Sequence, residues 1–360
     1  MAHDPGSRAN DGGAVTVDLV ELDGRGGPYQ HAVAVADELD RAGVHVVLHT
    51  ATDAELMPRD GVEVCRCMDW LRDAGPGRRV RVAARFLAVT VPRLLRGRGV
   101  LHVQGPFKAS LLAVLLAAAR LRGRRVVFSP HNTFSRRGSA LDARLVRLCA
   151  RLSHATVVFS DTDARQVAAW GTVPVVSPLL QHVPPVDPAR VEAWRASWGS
   201  ASVVLFAGQI RSDKRLDLVI EAARLWTRPA RLAVVGKDLG DARRCRALAT
   251  SLGVEAAWAV DYFELEAFAA AVAAADVIVC PYTRASQSGV LAVAGQLGVP
   301  SVATDVGGLR ELATVVVPRD VGAAELARAV DDLLAAAPAR GGSDPVRATV
   351  EAHRRAYGVA

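Results

Sequence analysis

The chain has 360 residues, 51% of them hydrophobic and 22% charged, which at about 150 residues per domain points to two domains with filled cores and excludes a disordered chain. Its 44 Lys and Arg against 37 Asp and Glu leave a net charge of +7, a mild excess. With 5% aromatics and no recognition motif, that argues against a nucleic-acid binder.

Residues 1–12 are polar and Gly-rich and lack the apolar core of a signal peptide, so they are expected to be a disordered tail. Five Cys are too few and too scattered for a disulfide framework, which makes a reducing cytoplasm the expected setting. Cys65-Arg66-Cys67 has the spacing of neither a zinc knuckle nor a redox Cys-x-x-Cys.

Short β-branched runs alternate with Ala- and Leu-rich stretches. Residues 15–20 read as a strand, 24–28 (GRGGP) as a loop, 29–42 as a helix closed by Gly43, and 44–49 as the next strand. Strands recur at 100–103, 126–129 and 156–159; the apolar run 109–119 is too short to span a bilayer and reads as a buried helix. Residues 174–188 carry five prolines and read as a linker. The rhythm then restarts, with strands at 203–206, 232–235, 276–280 and 301–304 and a helix at 213–226. Residues 337–344 (APARGGSD) precede a terminal helix at 345–357. Continuous apolar strands separated by helices imply doubly wound parallel sheets. The expected division is 13–177 as a first Rossmann-like domain, 178–188 as a hinge, 189–336 as a second such domain, and 337–360 as linker and helix.

Ligands in such sheets sit beyond the carboxyl ends of the strands, so the loops there hold the candidates. Gly26 and Gly27 open a helix and fit either a phosphate-binding loop or a plain tight turn. His131 lies in a loop after an apolar strand, where it can face a sugar hydroxyl. Gly208, Gln209, Arg211, Lys214 and Arg215 follow the strand at 203–206, with Ser212 a plausible cap. Cations at a helix start oppose its dipole, so they point to an anionic ligand such as a diphosphate. Ser288, Gly289 and Val290 open a further helix, whose free amides suit phosphate oxygens. Asp161-Thr162-Asp163 is a D-x-D, but Asp161 or Thr162 as helix cap and Asp163 in the first turn explain it, so no metal is expected.

Read together, GQIRSDKRLD (208–217), CPYTRASQSGVL (280–291) and GVPSVATDVGGLRE (298–311) resemble the retaining GT-B glycosyltransferases of family 4, also called glycosyl transferases group 1. GGPYQ (26–30), PHNTF (130–134) and SDTDA (160–164) add to the likeness, which covers about residues 14–335. The resemblance implies two Rossmann-like α/β domains facing each other across a cleft. It also implies a nucleotide-diphosphate sugar donor, a hydroxyl acceptor and no metal cofactor.

By the same likeness Lys214 pairs with the diphosphate, and Arg211 replaces the arginine expected where Gln209 stands. Ser288, Gly289 and Val290 cradle the distal phosphate, Gly26 and Gly27 approach from the other domain, and His131 faces the sugar. Two glutamates usual in the family fall at Ala285 and Val293, and Glu311 and Asp305 are the nearby carboxylates. Their loss motivates a competing reading, a catalytically silent relative that binds nucleotide sugar or acts as a scaffold subunit. A sugar-nucleotide epimerase is disfavoured by the GQIRSDK and SQSGV loops. Eight Arg between Arg72 and Arg98, interleaved with apolar residues, suggest contact with anionic lipid at the inner membrane face and a lipid-linked or cell-envelope acceptor.

Overall fold

The computed structural model describes residues 15–68, 76–105, 109–131, 140–199, 202–336 and 345–359. The expected tail, residues 132–134 of the PHNTF motif, the loop 337–344 and Arg72 lie outside the described residues, as do the side chains of Arg78 and Arg79.

Two parallel sheets organise the chain. The first contains β1 (Thr16–Val20), β2 (His45–Ala51), β3 (Glu63–Met68), β4 (Val100–Gln104), β5 (Val126–Ser129), β6 (Ala155–Val158) and β7 (Pro174–Val176), in the order β3-β2-β1-β4-β5-β6-β7. The second contains β8 (Ser202–Ala207), β9 (Ala230–Val235), β10 (Ala256–Ala259), β11 (Val277–Cys280), β12 (Ser301–Thr304) and β13 (Val315–Val317), in the order β10-β9-β8-β11-β12-β13. Both follow the doubly wound order, in which the strand sequence reverses beside the first strand. The central strands β4, β5, β6, β8 and β11 are buried apart from Ser202 at the start of β8, and their β-branched side chains suit a sheet covered on both faces.

In the second unit, Val204, Phe206, Leu216, Leu232 and Val279 belong to one apolar cluster and Leu205, Val235, Ile278 and Leu291 to another. In the first, Val20, Phe86, Leu101, Leu116 and Phe128 share a cluster. Among the described residues no helix is long and apolar enough to cross a membrane.

The compact units do not follow the chain linearly. The first takes the described residues of Met1–Val158, Val167–Val175 and Thr349–Ala360, and the second those of Phe159–Gln166 and Val176–Ala348. The closing helix Pro345–Tyr357 is the reason for the return. Tyr357 pairs its hydroxyl with His102 Nδ1 on β4 at 2.8 Å, and the Ala356 carbonyl accepts from Arg125.

The structure corrects three local expectations. Residues 174–176 are not linker but the edge strand β7, a place where proline's missing donor does little harm. Ser212 caps no helix: Ser212–Lys214 is a 3-10 turn, and Arg215 takes the N-cap place before helix Leu216–Ala223 with no side-chain cap. Ser160, rather than Asp161 or Thr162, caps helix Asp161–Ala169. Its hydroxyl oxygen accepts from the Asp163 amide at 3.1 Å, while the hydroxyl donates to the Asp163 carboxylate at 2.8 Å.

Candidate functional site

The strand order of the second sheet reverses between β8 and β11, which is where a doubly wound sheet offers a crevice. β8 runs into Gly208, at φ +104°, a conformation only glycine adopts freely. A Cβ there would lie 3.3 Å from Val290 Cγ2. Gly236, just past β9, is tighter still, since a Cβ on it would overlap the Gly208 carbonyl. These two glycines let the β8 and β9 exits close on each other. The buried Ile210 then fixes the loop, its amide donating to Lys237 O and its carbonyl accepting from Leu239, both at 2.9 Å.

The three cations of this loop have different partners. Arg211 holds Asp213 through two contacts, Nε–Oδ1 at 2.6 Å and Nη2–Oδ2 at 3.0 Å. Arg215, at φ +55°, reaches Asp217 at 3.3 Å. Lys214 lies with Nζ 3.5 Å from the centre of the Tyr282 ring, a cation–π contact. Tyr282 is buried, which pushes its phenol pKa well above 10, so the ring stays neutral beneath the ammonium.

Tyr282 opens the loop after β11, and the two loops are laced together. The Thr283 amide donates to Asp213 O at 2.9 Å, and Thr304 donates its hydroxyl to Tyr282 O at 2.6 Å. Helix Gly289–Gln296 starts here with Ser288 as N-cap, its hydroxyl oxygen accepting from Leu291 at 3.3 Å. That arrangement leaves the Gly289 and Val290 amides without an intrahelical carbonyl. Lys214, Arg211, Gly208, Ser288, Gly289 and Val290 are thus gathered in one unit by two neighbouring loops. Gln209, between them, is exposed.

The loop after β12 adds the third wall. Gly307 at φ +57° packs so closely that a Cβ would overlap Ala285 O, and the Gly308 amide donates to Ser286 O at 2.8 Å. Glu311 is exposed and accepts from the Asp161 amide at 3.3 Å, so this carboxylate sits at a helix start. Asp305 pairs with Arg310, whose hydrogen bond holds its carboxyl below the usual range. Asp163 also accepts from Gln287 at 3.1 Å. Val293 is 3% exposed in the core, and Ala285 packs against the same core cluster.

In the first unit, Gly26 starts helix Gly26–Arg41 at φ +72°, and its amide donates to Glu55 at 2.8 Å; Gly27 follows it in the first turn. His131 follows β5 at φ +50°, a strained backbone for a non-glycine residue. The residue is 9% exposed, its ring held by Gln104 at 2.6 Å and edge-on to His31 at 5.3 Å.

Four partners of the candidate residues escape a sequence reading: Asp213 as the counter-charge of Arg211, Tyr282 beneath Lys214, Glu55 on Gly26, and Gln104 on His131. Only Asp213, two residues from its partner, left a local signal.

Comparison with known proteins accords with this geometry. Residues 25–178 match the family model described as Glycosyltransferase Family 4, and residues 201–336 match Glycosyl transferases group 1. Among solved structures, the chain resembles the Anabaena protein Alr3699/HepE in complex with UDP and glucose, at 17% identity and a TM-score of 0.67 over 96% of this chain and 95% of that one. Sucrose-phosphate synthase from Thermosynechococcus elongatus is similar at 18% and 0.66, over 96% and 94%. The apo lipopolysaccharide outer core galactosyltransferase WaaB is similar at 12% and 0.62, over 95% and 98%. No curated protein sequence matches the chain.

Proposed function

The chain belongs to the group 1, family 4 glycosyltransferases of GT-B fold and is an enzyme of nucleotide-sugar glycosyl transfer; from that premise we propose a retaining, metal-independent reaction onto a lipid-linked or cell-envelope hydroxyl acceptor. The observation that supports the donor site is the convergence of Lys214 with the Gly289 and Val290 amides at the switch point of the second sheet. A leaving nucleoside diphosphate gains negative charge as the glycosidic bond breaks. A cation and two preorganised N–H donors stabilise that charge more in the transition state than in the ground state. Arg211 adds a second cation, a guanidinium that carries its own carboxylate, Asp213.

In this reading no protein nucleophile is needed: the acceptor hydroxyl attacks the face from which the diphosphate departs, and its proton passes to a phosphate oxygen. His131 is assigned the sugar side through its strained backbone carbonyl, since its ring is committed to Gln104.

Membrane association rests on the surface formed by helix Pro76–Arg85 and the π-helical turn Phe86–Thr90. Val80, Leu87 and Val89 are 68%, 43% and 56% exposed, beside exposed Arg81 and Arg85. Apolar residues amid arginines suit an anionic lipid interface.

The test is a thermal-shift screen against UDP, GDP, ADP and their sugar conjugates, with and without magnesium. One nucleotide is expected to raise Tm without metal, because only ligands of the folded state stabilise it. No shift at millimolar concentration would refute the donor site. A shift that requires magnesium would refute metal independence. NMR of the product anomer then decides between retention and inversion.

A further inference from the structure

The first sheet carries a cluster that sugar transfer does not use. β2 and β3 pair in parallel, with His49 opposite Cys65. Register then slips: Thr50 faces Arg66 but Ala51 faces Met68, so Cys67 is the bulged residue. Strand alternation puts Cys67 on the same face as Cys65, beside His49, and the slip leaves it without a partner residue on β2. A ring nitrogen of His49 and the two Sγ atoms lie within 4.8 Å of one another.

His49 is prepared as a ligand. Its Nε2 is 2.8 Å from Asp18 Oδ1, and Asp18 is held on its other oxygen by Arg124 at 2.6 Å. The carboxylate accepts the Nε2 proton and fixes the ring, an arrangement typical behind metal-bound imidazoles. Nδ1 is buried with no hydrogen-bond partner. His49 and Cys65 are buried, and half-buried Cys67 leaves a way in for the ion and for water as fourth ligand.

We propose that His49 Nδ1, Cys65 Sγ and Cys67 Sγ form a binding site for one zinc ion, with Asp18 orienting the imidazole from behind. Two thiolates and an imidazole exclude hard cations such as magnesium and calcium and suit zinc. Zinc–sulfur bonds of about 2.3 Å and zinc–nitrogen bonds of about 2.0 Å put ligand atoms roughly 3.5 Å apart, so small side-chain rotations close the cluster. Binding requires the two thiols and Nδ1 to be deprotonated, and their protons leave to solvent. The ion would pin the edge strand β3 to β2.

The experiment takes the full-length protein, reduced and chelator-stripped, and titrates it anaerobically with Co2+ as a spectroscopic substitute for Zn2+. One equivalent should produce thiolate-to-cobalt charge-transfer and tetrahedral d–d bands that Zn2+ bleaches. The double substitution Cys65→Ser and Cys67→Ser should abolish them. A second readout needs no variant: at zinc 100 times Kd, alkylation of Cys65 and Cys67, read by peptide mass spectrometry, should slow about 100-fold while Cys149, Cys245 and Cys280 react unchanged. Absent bands, bands that survive the double substitution in a folded protein, or unprotected thiols would overturn the site. Binding of Cu+ with no binding of Zn2+ or Co2+ would overturn its assignment to zinc.

Discussion

Lys214 and Arg211 are three residues apart in one loop, yet their surroundings assign them unequal work. Lys214 rests on a neutral aromatic face, whereas Arg211 is bound twice to Asp213. Removing Lys214 takes an ammonium group from the proposed diphosphate position. Lys214→Ala is expected to lower kcat/KM by about 10²–10³-fold, as the loss of one oxyanion donor does. Arg211→Ala should cost clearly less, because the lost guanidinium was already neutralised. Steady-state kinetics on the two variants checks the order, and equal losses would contradict it. The loop motif made both cations legible. The asymmetry was not legible, because Tyr282 is distant along the chain and reaches Lys214 only through the doubly wound fold.

Gly208 and the strands show what elements disclose. At φ +104°, with Val290 3.3 Å from a virtual Cβ, Gly208→Ala imposes backbone strain of about 1–3 kcal/mol. Urea denaturation should register that loss in the midpoint without a change in slope. The expected strands at the sheet centres all form, within a residue or two of the predicted ends. The four strands absent from the sequence reading, β3, β7, β10 and β13, are the four sheet edges. An edge strand pairs on one side and is incompletely covered, so it needs no continuous apolar run; β10 is half-buried at every position. The same reason hid the His49, Cys65 and Cys67 cluster, which exists only once an edge strand is paired.

The closing helix supplies a pH prediction at this scale. Burial pushes His353 down to about 4 and His102 well below 6.5, so both are neutral when folded. In the unfolded chain they take up protons near 6.5. Their contribution is therefore intact above about pH 6.5 and is lost as pH falls toward 4, where the unfolded state binds more protons. Hydrogen exchange of residues 349–357 should accelerate across that window before the amides of the second sheet respond. A simultaneous response would refute the prediction.

For the whole molecule, the surface proposed to meet lipid makes a separable prediction. Leu87→Ser with Val89→Ser removes apolar area from two exposed positions. Flotation with vesicles rich in anionic lipid should fall at least several-fold, while Tm and nucleotide-induced shifts stay as in the parent. Unchanged flotation would remove this surface from the membrane reading. The two-domain plan was legible from rhythm alone, and so was the restart of the pattern near residue 203. What rhythm could not convey was ownership. The chain hands residues 159–166 to the second unit and 349–359 back to the first, a matter of packing partners and not of order along the sequence.

That return has a consequence for biosynthesis. A ribosome releases the first unit's strands early, but His102 gains its Tyr357 partner only after synthesis has passed residue 357. The second unit, though later in sequence, has all its strands and the core-packed helix Ala323–Ala335 once residue 335 has emerged. Vectorial folding is thereby inverted: the amino-terminal unit waits for the carboxyl-terminal one. Nascent chains arrested between these points should carry a protease-resistant second unit beside a still-vulnerable first.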